Sequence, residues 1–223
     1  MTDRFVIPAH TSREPAVRST PRILIIYGTT DGHTAKIAGA LAEALRSPGR
    51  AIRVADASRE HPHPDDFDGV IVAAAVRAGK YQKTVQRWVR SHADALNARP
   101  TAFVSACLGI LQRSPAVDAA LRVIVDDFLA ETGWRPTVTK PVAGALLYTR
   151  YNWFIRRVMK RIARKAGGDT DTSRDYEYTD WPDLRAFATA FGRLVEGGPV
   201  VMPAAATANA SGASTQERSA AAH

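Results

Sequence analysis

Short apolar runs alternate with longer amphipathic stretches along most of this chain. The first run, 23–26, is rich in β-branched residues and lies between Pro21 and Gly28, so it predicts a buried strand. The stretch that follows repeats apolar residues at helical spacing, and so do three later stretches. Further strands are predicted at 51–55, 70–75, 101–106 and within 138–147. The predicted helix faces carry Ile37, Leu41 and Leu45; Val85, Trp88, Val89, His92 and Leu96; Leu121, Ile124, Val125 and Phe128; and Leu184, Phe187, Phe191 and Leu194.

This alternation of strands and helices predicts an α/β fold. Successive βαβ units cross over right-handed and give a parallel sheet with helices on both faces. Five strands in this arrangement predict a flavodoxin-like three-layer sandwich, with a five-stranded parallel sheet of order 2-1-3-4-5. In such sheets, ligands bind at the carboxyl ends of the strands, beside the point where the strand order reverses.

The loop after the first strand has the chemistry of a phosphate site. It reads GTTDGHT from Gly28 to Thr34, and a predicted helix begins directly after it. Free N–H groups at a helix start attract anions, and the threonine hydroxyls can donate further hydrogen bonds. The chain lacks GxxxxGK[ST] and GxGxxG, which disfavours nucleoside triphosphates and dinucleotides. A monophosphate such as that of FMN fits, although a threonine or aspartate helix cap would explain the same loop without a ligand.

Two later loops should meet this one. The loops at 76–81 and 105–113 also follow predicted parallel strands, so all three converge at one edge of the sheet. This convergence favours a ligand site over a simple helix cap.

Composition narrows the classes of function. The 223 residues carry a formal charge of +8, which points to nucleic acid, an anionic membrane surface or an anionic substrate. A single cysteine, Cys107, excludes an intramolecular disulfide and a cysteine-built metal site, and we predict no metal. No apolar run approaches the roughly 20 residues of a membrane span, so a cytoplasmic protein is the default expectation.

Residues 151–165 are predicted to form a basic amphipathic helix. Apolar residues repeat every three or four positions, and six arginines and lysines occupy the opposite face. This pattern favours the surface of an anionic bilayer. A helix packed on the sheet with a solvated basic face is the alternative. Nucleic acid is not expected as a partner, because no aromatic-rich β-surface or zinc module supports it.

We predict a flexible leader at 1–20, one domain at 21–197 and a disordered tail at 198–223.

Six sequence blocks, taken in this order, resemble one known family. The blocks are TTDGHT at 29–34, VRAGKY at 76–81, GWRP at 133–136, GALLYTRYNW at 144–153, GGDTDT at 167–172 and YTDW at 178–181. The chain resembles the flavodoxin-like, quinone-dependent protoporphyrinogen oxidases of bacterial haem synthesis. That family also has a long segment after the fourth strand, here about 107–132. Two residues depart from the family pattern: His33 stands where Gln is usual, and Ala78 where Tyr is usual.

The resemblance implies an FMN enzyme held peripherally on the inner, cytoplasmic face of the cell membrane. It implies oxidation of protoporphyrinogen IX to protoporphyrin IX, with electrons passed to menaquinone or ubiquinone. We identify no catalytic acid or base. By hypothesis the FMN site comprises Thr29, Thr30, Asp31, Gly32, His33 and Thr34 at the phosphate, and Val76, Arg77, Ala78, Gly79, Ser105, Ala106, Cys107, Leu108 and Gly109 at the ring.

Other functions are compatible with the same pattern. A flavodoxin-like electron carrier and an NAD(P)H:quinone reductase would both bind FMN without acting on porphyrinogen. A membrane-associated scaffold that has lost its cofactor would not bind it at all. The basic helix disfavours a freely diffusing carrier.

Overall fold

A computed structural model describes residues 6–7, 20–108, 115–150, 153, 157, 160–161, 164, 171–198, 200–202 and 207–208. Five parallel strands form the central sheet: β2 (Arg22–Gly28), β3 (Ala51–Asp56), β4 (Gly69–Ala75), β5 (Thr101–Cys107) and β6 (Val138–Ala143). They lie in the order β3-β2-β4-β5-β6. This is the predicted order 2-1-3-4-5, so the fold prediction is confirmed.

Two helical layers cover the sheet because β2 is apolar on both faces. Its Ile23 and Ile25 pack in the core beneath α1 (His33–Leu45) and α5 (Trp181–Val195). The alternate residues Leu24 and Ile26 face the other core. There they contribute to a cluster with residues of α2 (Lys83–Ser91), α3 (Ala93–Asn97) and α4 (Pro115–Thr132). A parallel strand buried on both faces reads as a continuous apolar run, as the sequence does here.

The predicted long segment after the fourth strand of the sheet contains α4. Phe128 of this helix is stacked on Phe103 of β5, with ring centroids 5.0 Å apart. Tyr81 lies edge-on to the Phe128 ring at 4.8 Å. The aromatic contacts hold α4 against the sheet, and residues 109–114 of the segment lie outside the described part of the chain.

A short antiparallel pair of strands follows β6, and residues 147–175 form a long excursion between the two strands. The strands are β7 (Ala145–Leu146) and β8 (Tyr176–Glu177). The excursion between them contains the predicted basic helix, of which Trp153, Arg157, Lys160, Arg161 and Arg164 are described and helical. Within the described chain, no helix combines the length and apolar character needed to cross a membrane.

Parts of the predicted leader and tail are placed in strands. Val6–Ile7 (β1) pairs with Val200–Val201 (β9), and Thr207–Ala208 (β10) adds an antiparallel edge to β6. Met202 is completely buried in the core beneath α1 and α5. Apart from Thr20, the other residues of the predicted leader lie outside the described part of the chain, as does most of the predicted tail beyond residue 202.

Candidate functional site

A pocket opens where β2, β4, β5 and β6 end. The three predicted loops line it together with a fourth segment, which follows β6. Its lining residues are Thr29, Thr30, Asp31, His33, Thr34, Ala75, Val76, Arg77, Gln82, Ala106, Cys107, Leu108, Gly144, Ala145 and Leu147. The parallel topology produces this convergence, because the carboxyl ends of parallel strands share one edge of the sheet.

The loop between β2 and α1 brings the start of a helix to the pocket. Gly32 precedes α1 with a φ of 90°, in the left-handed region that favours glycine. Its N–H donates to Thr29 Oγ1 at 2.8 Å, which closes the loop on itself. Gly32, at the N-cap position, has no side chain that could accept from the first turn of α1. A helix start whose cap residue supplies no acceptor suits an anion, which can accept hydrogen bonds from the first-turn N–H groups.

The second loop is a tight reverse turn beside the pocket. Arg77 and Lys80 exchange backbone hydrogen bonds of 2.8 and 3.1 Å. Ala78 and Gly79 form the tip, both with positive φ, and neither is part of the pocket lining. The turn directs the Arg77 guanidinium towards Asp31, with 3.6 Å between Nη1 and Oδ1. A cation therefore lies at the rim, partly neutralised by the first loop.

Some residues of the third loop line the pocket, and one is buried in the core. Ala106, Cys107 and Leu108 line the pocket. Ser105 lies on the buried side, where its Oγ is 2.7 Å from the Tyr81 hydroxyl. Burial raises the pKa of Tyr81 well above its usual value, so this hydroxyl stays protonated. Gly109, also predicted for this loop, lies outside the described residues.

His33 is held in one tautomer at the pocket wall. Its Nε2 is 2.9 Å from Thr179 Oγ1, and that hydroxyl donates to the Ala143 carbonyl at 2.7 Å. Because the hydroxyl hydrogen is used, Thr179 must accept from Nε2–H, which leaves Nδ1 with a lone pair. Burial lowers the pKa of His33, and Glu177 opposes this shift. The imidazole is therefore neutral at pH 7.

Two buried polar atoms at this pocket have no hydrogen-bond partner. They are His33 Nδ1 and Gln82 Oε1, and both are acceptors. Buried polar groups are normally paired, so this arrangement suits a ligand that brings donors. The ribityl hydroxyls and the ring imide of FMN are such donors, and its phosphate can accept from the start of α1. The residues of the pocket therefore fit FMN.

Comparison with known proteins agrees with this geometry. A flavodoxin-domain family model matches residues 24–173. A protoporphyrinogen IX dehydrogenase [quinone] of Escherichia coli K12 is 36% identical over 179 residues, which cover 78% of this chain and 97% of that protein. The chain belongs to this flavodoxin-domain family. The family resemblance seen in the sequence blocks is confirmed.

More distant relatives extend the comparison. The enzyme of the same name from Leishmania major is 32% identical over 192 residues, covering 85% of this chain and 81% of that protein. A solved flavodoxin from the domain Archaea superposes with a TM-score of 0.47 at 12% identity, over 78% of this chain and 99% of that one. That score is too low to support the assignment, which depends on the sequence relatives.

Sequence reasoning missed five residues of the flavodoxin-domain pocket. They are Ala75, Gln82, Gly144, Ala145 and Leu147. Ala75 ends a predicted strand and could have been included on that basis. Gln82 precedes α2 with no motif to mark it. The segment 144–147 reaches the pocket only because β7 turns away from the sheet to pair with β8.

Among the described residues, no group of three His, Cys, Asp or Glu side chains is placed to hold a metal.

Proposed function

We propose that this chain binds FMN in the pocket and oxidises protoporphyrinogen IX to protoporphyrin IX, passing the electrons to a membrane quinone. The observation that carries the proposal is the 36% identity to a quinone-dependent protoporphyrinogen IX dehydrogenase over 97% of that protein's length. The converging loops and the unpartnered acceptors of the pocket support the cofactor.

When bound, FMN supplies the redox chemistry, accepting electrons from the substrate and passing them on. The chain's own residues would bind FMN and orient it in the pocket. The start of α1 and the Thr29 and Thr34 hydroxyls would hold the phosphate, and Gln82 would accept a hydrogen bond from the ligand. Leu108 and Leu147 supply apolar surface at the rim that excludes water. We assign no residue a proton-transfer role.

Arg77 is the cation best placed to act on the ring end of the pocket. It lines the pocket, and its partner Asp31 is 3.6 Å away, so its charge is only partly neutralised. A positive group beside the ring system would stabilise negative charge that develops there on reduction. Ala78 and Gly79 support this role indirectly, because their turn sets the direction of Arg77.

The excursion between β7 and β8 would hold the enzyme on an anionic membrane. Trp153 is 77% exposed, and Arg157, Arg161 and Arg164 are also exposed. At spacings of four, four and three residues these side chains share one helix face. Tryptophan favours the membrane interface, and each basic residue near an anionic surface contributes about 1 kcal/mol. A peripheral position on the cytoplasmic face would bring the pocket close to menaquinone or ubiquinone.

The enzymatic proposal is tested by anaerobic turnover. Purified protein loaded with FMN is mixed with protoporphyrinogen IX and a short-chain naphthoquinone or benzoquinone, and porphyrin fluorescence is followed. We expect fluorescence to rise only when quinone, FMN and protein are all present. Rapid reduction of the flavin by NAD(P)H, without porphyrin formation, would instead identify an NAD(P)H:quinone reductase. One-electron exchange with a reductase alone would identify a carrier.

Membrane binding is tested by charge reversal of the exposed face. The variant Arg157→Glu, Arg161→Glu, Arg164→Glu is compared with Arg46→Glu, Arg59→Glu, Arg185→Glu, which changes three exposed arginines elsewhere by the same total charge. We expect only the first variant to lose sedimentation with phosphatidylserine-containing vesicles, by about tenfold or more. Equal losses in both variants would mean that the net charge of the protein, and not this helix face, drives binding.

A further inference from the structure

His33 is a titratable residue of the pocket lining at the start of α1, and the mechanism above gives it no role. Building on the proposed FMN site, we propose that His33 takes up a proton when the FMN phosphate dianion binds. The affinity of the protein for FMN would then depend on pH through this one residue. The same coupling would not apply to a ligand without a phosphate.

The position of His33 supports this coupling. It is the first residue of α1, next to the backbone groups that would face the phosphate. The contacts to Thr179 and Ala143 fix the ring, so that Nδ1 is its free basic atom. This atom is buried and has no hydrogen-bond partner in the protein. A proton on Nδ1 would therefore meet no competing donor and could be shared with the ligand.

The charges around His33 are already paired with one another. Lys36 of α1 lies 2.6 Å from both carboxylate oxygens of Glu177 on β8. Asp31 in the preceding loop faces Arg77. From α5, Trp181 presents an uncharged ring, with its centroid 6.0 Å from that of the imidazole. A bound phosphate dianion would add two negative charges that these pairs do not neutralise, so it would dominate the potential at Nδ1.

The direction of the effect follows from linkage. Without ligand, burial lowers the pKa of His33, so the imidazole is neutral at pH 7. A nearby dianion raises the pKa of the same group, and a proton is taken up at any pH between the two values. Binding is then tightest at the lower end of this window and weakens as pH rises through the pKa of the complex. A phosphate monoester has its own second pKa near about 6, so measurements above pH 7 isolate the histidine.

The experiment is titration calorimetry of the ligand-free full chain with FMN and with riboflavin. Each titration is run in two phosphate-free buffers with different ionisation enthalpies, which gives the number of protons exchanged. The variants are His33→Gln, which keeps an acceptor and a donor but does not titrate, and His61→Gln, an exposed histidine outside the pocket. Thermal melting checks that each variant is folded.

At pH 7.5 we expect the wild type and His61→Gln to take up about half a proton or more per FMN, and His33→Gln to take up about none. Between pH 7 and 9, wild-type affinity for FMN should fall by about threefold to tenfold, while that of His33→Gln changes by less than about twofold. Riboflavin should show no proton uptake with any of the three proteins.

Other outcomes distinguish a failure of the role of His33 from a failure of FMN binding itself. Equal proton counts in the wild type and His33→Gln would overturn the role of His33 and leave FMN binding intact. Equal loss of affinity for FMN and riboflavin in His33→Gln, with no proton uptake by the wild type, would make His33 an acceptor for a ligand hydroxyl and also overturn the coupling. A folded wild type that binds no FMN at any pH would overturn the proposed function itself. If His33→Gln fails to fold, His33→Asn takes its place in the same titrations, and no proton uptake by the wild type with FMN would still overturn the coupling.

Discussion

At the scale of single residues, the turn from Arg77 to Lys80 holds Ala78 in a strained backbone conformation. Its φ is 49°, in the left-handed region, and it is the one described non-glycine residue with positive φ. The turn requires this conformation because Arg77 and Lys80 exchange both backbone hydrogen bonds across it. An L-residue with a Cβ pays roughly 1 kcal/mol there. The strain lies next to Arg77, so the turn sets the direction of a pocket side chain at the expense of stability.

We therefore expect Ala78→Gly to stabilise the protein by about 0.5–1 kcal/mol, since glycine adopts positive φ without strain. The measurement is the free energy of unfolding in urea. The matched control is Ala119→Gly, at an exposed position of α4, which should destabilise by about 1 kcal/mol. A loss of stability in Ala78→Gly similar to that of the control would show that the turn is not strained in solution.

At the scale of elements, an ion pair between a buried lysine and a partly exposed aspartate fastens α5 to the sheet. Lys140 of β6 has a side chain only 1% exposed, and its ammonium pairs with the Asp183 carboxylate in the first turn of α5. The same helix is capped by Asp180, whose carboxylate accepts from the Asp183 N–H at 3.0 Å. The position of α5 matters to the site because Trp181 and Thr179, at its start, contact His33.

Removing the Asp183 carboxylate should lower the free energy of unfolding more than replacing the buried Lys140 does. Asp183→Asn leaves an uncompensated lysine in the core, and we expect a loss of about 3 kcal/mol or more. Lys140→Met replaces the buried charge with an apolar chain of similar length and should cost less than about 1.5 kcal/mol. Urea unfolding of the two variants checks the order. If Lys140→Met is the more destabilised, the pair contributes net stability and the explanation is wrong.

At the scale of the whole molecule, the two ends of the chain contribute to the structure. β9 pairs with β1, β10 extends the edge of the sheet beside β6, and Met202 between them is completely buried. Met202 belongs to the same core as Leu41 and Phe191. Residues close to the carboxyl terminus therefore complete a core whose first strand begins at Arg22.

This arrangement predicts different results for two truncations. A chain ending at Gly198 loses β9, β10 and Met202, and we expect a loss of about 2–5 kcal/mol, as for the removal of a large buried side chain. A chain ending at Ala208 keeps them and should match the full chain within about 0.5 kcal/mol. Thermal melting of the three proteins checks this. Equal melting of the chain ending at Gly198 and the full chain would mean that Met202 is not held in the core.

The sequence by itself determined the layers and the location of the site. The apolar run at 23–26 is long enough only for a strand, and the spacing of Ile37, Leu41 and Leu45 is that of a helix. Because short-range periodicity sets these elements, and βαβ connections are right-handed, a parallel sheet with helices on both faces follows from local pattern. The loops at 28–34, 76–81 and 105–113 are then predicted to meet at one edge without any knowledge of contacts, and residues of all three line the pocket.

Only the tertiary structure decided which side chains face the pocket and in what state. Ser105 belongs to a predicted loop, yet it pairs with Tyr81 in the core, while Gln82 and Leu147 line the pocket although neither is a predicted site residue. The tautomer of His33 depends on Thr179, which is 146 residues away in the chain. Such contacts between distant residues leave no periodic trace in a single sequence, because each depends on the packing of several elements at once.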